Sequence, residues 1–258
     1  MTFKVLGNPE NPTILFFHAM GVTGTSSIKV AEQLKDRYFC VLPTSSVYCV
    51  KQKYVSKEDE INQIVGYLRE KGVSKIALLV CSSIGADLGL SFLVHSGFVV
   101  EHSFFDGGQF PQIKKGTRRI MVPFLYLAIK SLYWSKGATL KKILWCDSEE
   151  IKPYFIEAGK NLKYRNLKKQ MMDSLIDKAF PKLSYEVQKS IFFEFGSIEE
   201  HFKYRESVKK AYPNANFPIF DNCNHMQIQI LRPKEFSSIL DSIVCTEGFS
   251  FPKETGRE

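Results

Sequence analysis

The sequence predicts an α/β fold: a mostly parallel sheet with helices on both faces, carrying an inserted all-helical segment. Three observations predict it. Short, near-continuous apolar runs recur along the chain, as expected of strands buried on both faces. Amphipathic stretches with apolar residues at helical spacing separate them. Residues 110–189 break this rhythm, reading as helix after helix with no strand among them. The boundaries follow: an α/β core from 1–109 and 190–258, and a helical cap or lid from 110–189.

Thr13 to His18 reads as the first buried strand. Thr25 or Ser26 then caps a helix whose Ile28, Ala31 and Leu34 share one face. Tyr38 to Pro43 is a second apolar run. Ser56 and Asp59 resemble a capping box, and Ile61, Ile64, Val65 and Leu68 repeat at i, i+3, i+4 and i+7 until Gly72 stops the helix. Lys75 to Val80 is the next strand, followed after a small-residue turn by a helix closed at Gly97. Phe98 to Phe105 is another strand and ends at Asp106-Gly107-Gly108. Within the insertion, helices are predicted at Arg118–Trp134, Thr139–Trp145, Ser148–Ala158, Leu162–Ala179 and Ser184–Lys189. Strands resume at Ser190–Phe195 and Asn216–Phe220, separated by a helix from about Glu200 to Tyr212. A last helix starts with Pro233 in its first turn. The tail from Thr246 is polar and expected to be loosely held.

Composition narrows the function classes. The chain has 258 residues, 44% hydrophobic and 24% charged, as expected of a soluble globular protein. The N-terminus lacks an apolar signal-peptide core, and no run approaches the ~20 apolar residues of a membrane span. The six cysteines form no CxxC pair. Buried free thiols in a reducing cytoplasm are expected, with no metal site and no cofactor. Residues 110–189 hold 17 Lys and Arg against 7 Asp and Glu, while the rest holds 18 against 20. That basic excess suits solvated lysine faces, the plainer reading, or an anionic substrate. No nucleic-acid motif accompanies it. Met121, Phe124, Leu125, Leu127, Ile129, Leu132, Tyr133 and Trp134 line either an apolar substrate pocket or, more plainly, the insertion's own core.

Three motifs carry chemistry. Cys81-Ser82-Ser83-Ile84-Gly85 puts a serine between small residues where a strand turns into a helix, the pattern of a nucleophile elbow. His18-Ala19-Met20-Gly21 follows the first strand, where a small-residue loop can aim a backbone N–H into the site. Asn222-Cys223-Asn224-His225-Met226 follows the last strand, and Gly196-Ser197-Ile198-Glu199-Glu200 the one before. Ligands of an open parallel sheet bind beyond the carboxyl ends of its strands, where all these loops fall.

Taken together, about residues 13–244 resemble the α/β-hydrolase superfamily. Ala19 and Cys81 stand where that family more often has glycine, and Asn224 replaces the usual glycine before the histidine. The resemblance implies Ser83 as nucleophile, His225 as general base and the Met20 and Ile84 N–H groups as the oxyanion hole. For the acid it implies Glu199 first, Asp106 second and Glu200 third. The implied function is a serine hydrolase, carboxylesterase-like by default, acting on a small-molecule acyl substrate. A lysophospholipase or acyl-thioesterase on anionic substrates is the alternative, and a non-catalytic binding protein on the same fold is the rival from another class. Dehalogenation calls for an aspartate where Ser83 stands.

Overall fold

The computed structural model describes residues 1–108, 115–140, 149–174 and 180–245. Its described strands are β1 (Thr2–Leu6), β2 (Thr13–Phe17), β3 (Phe39–Thr44), β4 (Lys75–Ser82), β5 (Val99–Asp106), β6 (Ile191–Gly196) and β7 (Ile219–Phe220). They form a seven-stranded sheet in the order β1-β3-β2-β4-β5-β6-β7. All neighbours run parallel except β1, which lies antiparallel on β3.

The apolar runs become central strands because both of their faces are covered. On one face Leu15, Phe17, Leu79, Cys81, Phe105 and Phe193 pack against α2 (Lys57–Glu70) and α3 (Gly85–His95). On the other, Ile14, Phe16, Leu78, Val80, Phe104 and Phe192 meet α1 (Ile28–Leu34) and the C-terminal helix Pro233–Cys245. Consecutive residues of β2 and β4 thus alternate between two cores, and each buried large side chain contributes about 1.5–3 kcal/mol. Ser56 caps α2, its Oγ accepting from the Asp59 N–H at 3.1 Å, a bond that contributes about 1 kcal/mol.

Between β5 and β6 the described residues contain helices and no strand. They form α4 (Lys115–Trp134), α5 (Lys152–Asn161), α6 (Tyr164–Asp173) and α7 (Tyr185–Lys189). Val122, Ile129, Ala158, Leu162, Leu167 and Met171 join Ile84 and Tyr48 in one apolar cluster, so this segment packs onto the elbow side of the sheet. Phe124, Leu127 and Trp134 enter neither a pocket nor a core, being 70%, 53% and 62% exposed. The helix expected at Thr139–Trp145, the end of the one expected at Leu162–Ala179 and the tail from Thr246 fall wholly or largely outside the described residues.

After β6 come a 3₁₀ turn (Glu200–Tyr204) and α8 (Arg205–Ala211). Beyond β7, α9 (Gln227–Leu231) precedes α10, the helix Pro233–Cys245 already described. Two strand expectations need correction. β1 adds an edge strand whose side chains are mostly solvent-facing, leaving little apolar signature. The run Asn216–Phe220 pairs as a ladder only at Ile219 and Phe220, with an isolated bridge at Asn216. Pro218 lies between and has no N–H to give. Among the described residues, no helix is long and apolar enough to cross a membrane.

Candidate active site

β4 ends at Ser82, and the backbone turns at Ser83 with φ of +54° before α3 begins at Gly85. A non-glycine residue in this left-handed region is strained, and such strain gathers at functional positions. The Ser83 N–H donates to the Asp106 carbonyl at 2.9 Å, which ties the elbow to the end of β5. Glycine is required at 85, where a Cβ would stand 2.5 Å from the Phe17 carbonyl oxygen. Cys81 fits the elbow because its bulk is answered elsewhere. Its Sγ would lie 2.3 Å from a Cβ on Gly89, so a second glycine on α3 leaves the sulfur its room.

The loop after β2 is held by a buried histidine. His18 Nδ1–H donates to the Ala19 carbonyl at 2.7 Å, and Nε2 accepts from the Ser45 N–H at 3.0 Å. Burial drives the His18 pKa down to about 4, so the ring stays neutral and can accept at Nε2. The Gly21 N–H is taken by the Tyr48 hydroxyl at 2.8 Å. Among the described residues no hydrogen bond engages the Met20 or Ile84 N–H, the two donors expected to serve an oxyanion. A cavity of about 30 Å³ adjoins Ile84, Gly85, His18, Lys57 and Glu60, but neither Ser83 nor His225 lines it.

The loops after β6 and β7 are knit together. The Ile198 N–H donates to the Cys223 carbonyl at 3.2 Å and the Asn222 N–H to Ser197 Oγ at 2.9 Å. Gly196 is glycine because a Cβ there would approach the Cys223 carbonyl oxygen to 2.3 Å. This seam brings Glu199 to His225, whose Nδ1 lies 2.7 Å from Glu199 Oε2. The imidazole rests on Gly107, where a Cβ would sit 2.4 Å from Nδ1. Gly107 directly follows Asp106, whose carbonyl receives the Ser83 N–H, so the end of β5 and the residue after it join serine and histidine. Burial lowers the His225 pKa, opposed by the Asp106 charge, and raises that of Glu199 to about 7.

The other acids have different surroundings. Glu200 turns outward, its side chain 84% exposed and paired with Lys203 at 3.1 Å, which removes it as a partner for His225. Asp106 is 1% exposed and hydrogen-bonds Glu194, its neighbour in the β5–β6 register. Burial raises both carboxyls, Asp106 to about 7 and Glu194 well above its ordinary range. At Glu194 the neighbouring Asp106 charge adds to the effect of burial, as expected of two buried carboxylates side by side.

Three residues at the site escaped the sequence reading. Glu194 lies inside the apolar run Ser190–Phe195. His201 was expected as part of a helix, but its ring stands edge-on to His225 with centroids 4.6 Å apart. Gln229, 3% exposed, accepts from Ser82 Oγ and donates to Ser27 Oγ, both at 2.8 Å. It thereby locks α9, just after His225, to the base of the elbow.

The sequence matches no protein-family model and no curated protein. Solved structures do match it in shape. A Desulfitobacterium hafniense protein assigned to the alpha/beta hydrolase family superposes with a TM-score of 0.74 at 17% identity, covering 94% of this chain and all of that one. One from a study of Nitrososphaera gargenis carboxylesterases gives 0.71 at 13%, covering 94% and 93%. Carboxylesterase CesB from Bacillus subtilis gives 0.66 at 16%, covering 94% and 87%. The chain therefore has the α/β-hydrolase fold.

Proposed function

We propose that this protein is a serine hydrolase that cleaves an ester or related acyl bond through an acyl-enzyme. The 2.7 Å bond between His225 Nδ1 and Glu199 carries the reading. It fixes the ring with its proton on Nδ1 and leaves Nε2 as the basic nitrogen. In this reading His225 Nε2 takes the Ser83 proton as Oγ attacks the substrate carbonyl. The Met20 and Ile84 N–H groups hold the oxyanion, each contributing about 3 kcal/mol in the transition state. His225 then passes its proton to the leaving group, and a water activated by the same nitrogen releases the acid.

Burial makes the Glu199 carboxylate costly while His225 is neutral. That cost falls once the ring becomes cationic, so the dyad favours the transition state over the resting enzyme. The helices between β5 and β6 act as the cap that selects substrate. Their basic excess favours an anionic acyl substrate, a lysophospholipid or acyl thioester, beside the carboxylesterase default. The occupied acid and base positions weigh against a purely binding role.

Turnover of p-nitrophenyl esters tests the reading. The parent is expected to hydrolyse them and Ser83→Ala to lose at least ~10³-fold in kcat. Equal rates in the two proteins would refute it. Anionic and neutral acyl substrates compared at two salt concentrations test the cap: a salt-sensitive preference for the anionic ones supports the second substrate class, and equal rates count against it.

A further inference from the structure

We propose that Glu199, His201 and His225 form a three-donor site for a zinc-like divalent cation, and that filling it switches the enzyme off. The first half stands on geometry alone; the second rests on the hydrolase reading above. The Glu199 carboxylate and one nitrogen from each histidine lie within 4.8 Å of one another. Two imidazoles and one carboxylate form a set that Zn²⁺, Cu²⁺ or Ni²⁺ takes in preference to Mg²⁺ or Ca²⁺.

A second observation points to a cation. Glu199 Oε1 is buried and has no hydrogen-bond partner among the described residues. A buried carboxylate oxygen met by no donor marks a place where positive charge is favoured. Zinc bonds of about 2.0–2.1 Å space tetrahedral donors about 3.3 Å apart. The 2.7 Å gap between His225 and Glu199 must open slightly, and the remaining gaps close by ~1.5 Å at most, within reach of side-chain rotation. The His225 side chain is 23% exposed, which leaves an approach from solvent and a fourth position for water.

Coordination explains the switch. His225 Nδ1, the nitrogen 2.7 Å from Glu199, is the one presented to the cation. Neutral imidazole has a single N–H, so a metal on Nδ1 moves that proton to Nε2. Nε2–H cannot accept the Ser83 proton, and the base is lost with no residue displaced from the site. His201, which the proposed reaction does not use, then has a role as the ligand that makes the site three-coordinate.

Zinc titration by calorimetry separates the two halves. It is run on a Cys245→Ser background, because Cys245 is an exposed free thiol. The parent and Ser83→Ala are expected to bind one Zn²⁺ equally, and His201→Ala and His201→Gln at least ~10-fold more weakly. In ¹⁵N-histidine spectra of the parent, zinc is expected to move the His201 and His225 ring signals together, a readout that needs no ligand variant. Zinc should inhibit p-nitrophenyl ester hydrolysis, with the inhibitory concentration raised at least ~10-fold in His201→Ala. Zinc binding that depends on His201 in a protein without esterase activity would overturn the hydrolase reading and keep the site. Hydrolysis whose zinc sensitivity ignores His201, or zinc that leaves both ring signals unmoved, would overturn the site.

Discussion

Glu194→Gln is expected to make the protein more stable than its parent at neutral pH and to confer much less advantage in acid. Glu194 and Asp106 face each other across β5 and β6, are 2% and 1% exposed, and share a side-chain hydrogen bond. Burial raises both carboxyls. The unfolded chain releases the same protons near pH ~4. Above there Glu194 keeps in the folded protein a proton that the unfolded chain has lost. For an acid raised by folding, stability is greatest below the unfolded pKa and falls as pH climbs, here by about 1.4 kcal/mol per unit. The substituted glutamine offers an N–H to Asp106 in place of the carboxyl O–H and has no proton to release. Above about pH 5 the parent thus loses about 1.4 kcal/mol per pH unit that the variant keeps, for as long as Glu194 holds its proton. Urea unfolding at half-unit steps measures the difference. A gap that stays constant from about pH 5 to 7, or a variant weaker at every pH, refutes the proton retained by Glu194.

Gln229→Ala breaks both 2.8 Å bonds that tie Ser82 and Ser27 to α9. A loss of about 2–4 kcal/mol in urea unfolding is expected, with kcat falling more than KM rises. Gly89→Ala places a Cβ 2.3 Å from Cys81 Sγ, and thermal unfolding should show a loss of about 1–3 kcal/mol. Cys81→Ala in the same chain should recover most of it; additive losses would sink the compensation between these positions. Glu199→Gln is expected to lower kcat by about 10³–10⁴-fold with KM little changed. Asp106→Asn should cost far less, and steady-state rates that rank the two the other way would make Asp106 the acid.

The sheet was legible because its central strands are buried on both faces and carry unbroken apolar runs. β1 was not, since an edge strand keeps one side in water and Thr2-Phe3-Lys4-Val5 shows only brief alternation. The loops bearing Ser83, Glu199 and His225 could be read because each follows a strand where the topology demands a connection. What sequence spacing cannot reveal is contact between loops. His201 touches His225 only because Gly196 lets the two loops close on each other, and Asp106 meets Glu194 only through strand register. Gln229 has the same origin, reaching two serines far away in the chain. Cys81 was a departure from the expected elbow whose remedy, Gly89, lay eight positions on, at the helix position that faces the sulfur.

An activated Ser83 served by His225 reacts with a fluorophosphonate far faster than an ordinary serine. Intact-mass measurement and peptide mapping after exposure to that reagent read the difference. One adduct is expected, carried by the peptide containing Ser83, absent from Ser83→Ala and formed at least ~10³-fold more slowly by His225→Ala. A folded parent that takes up no label, or an adduct that survives in Ser83→Ala, would contradict it.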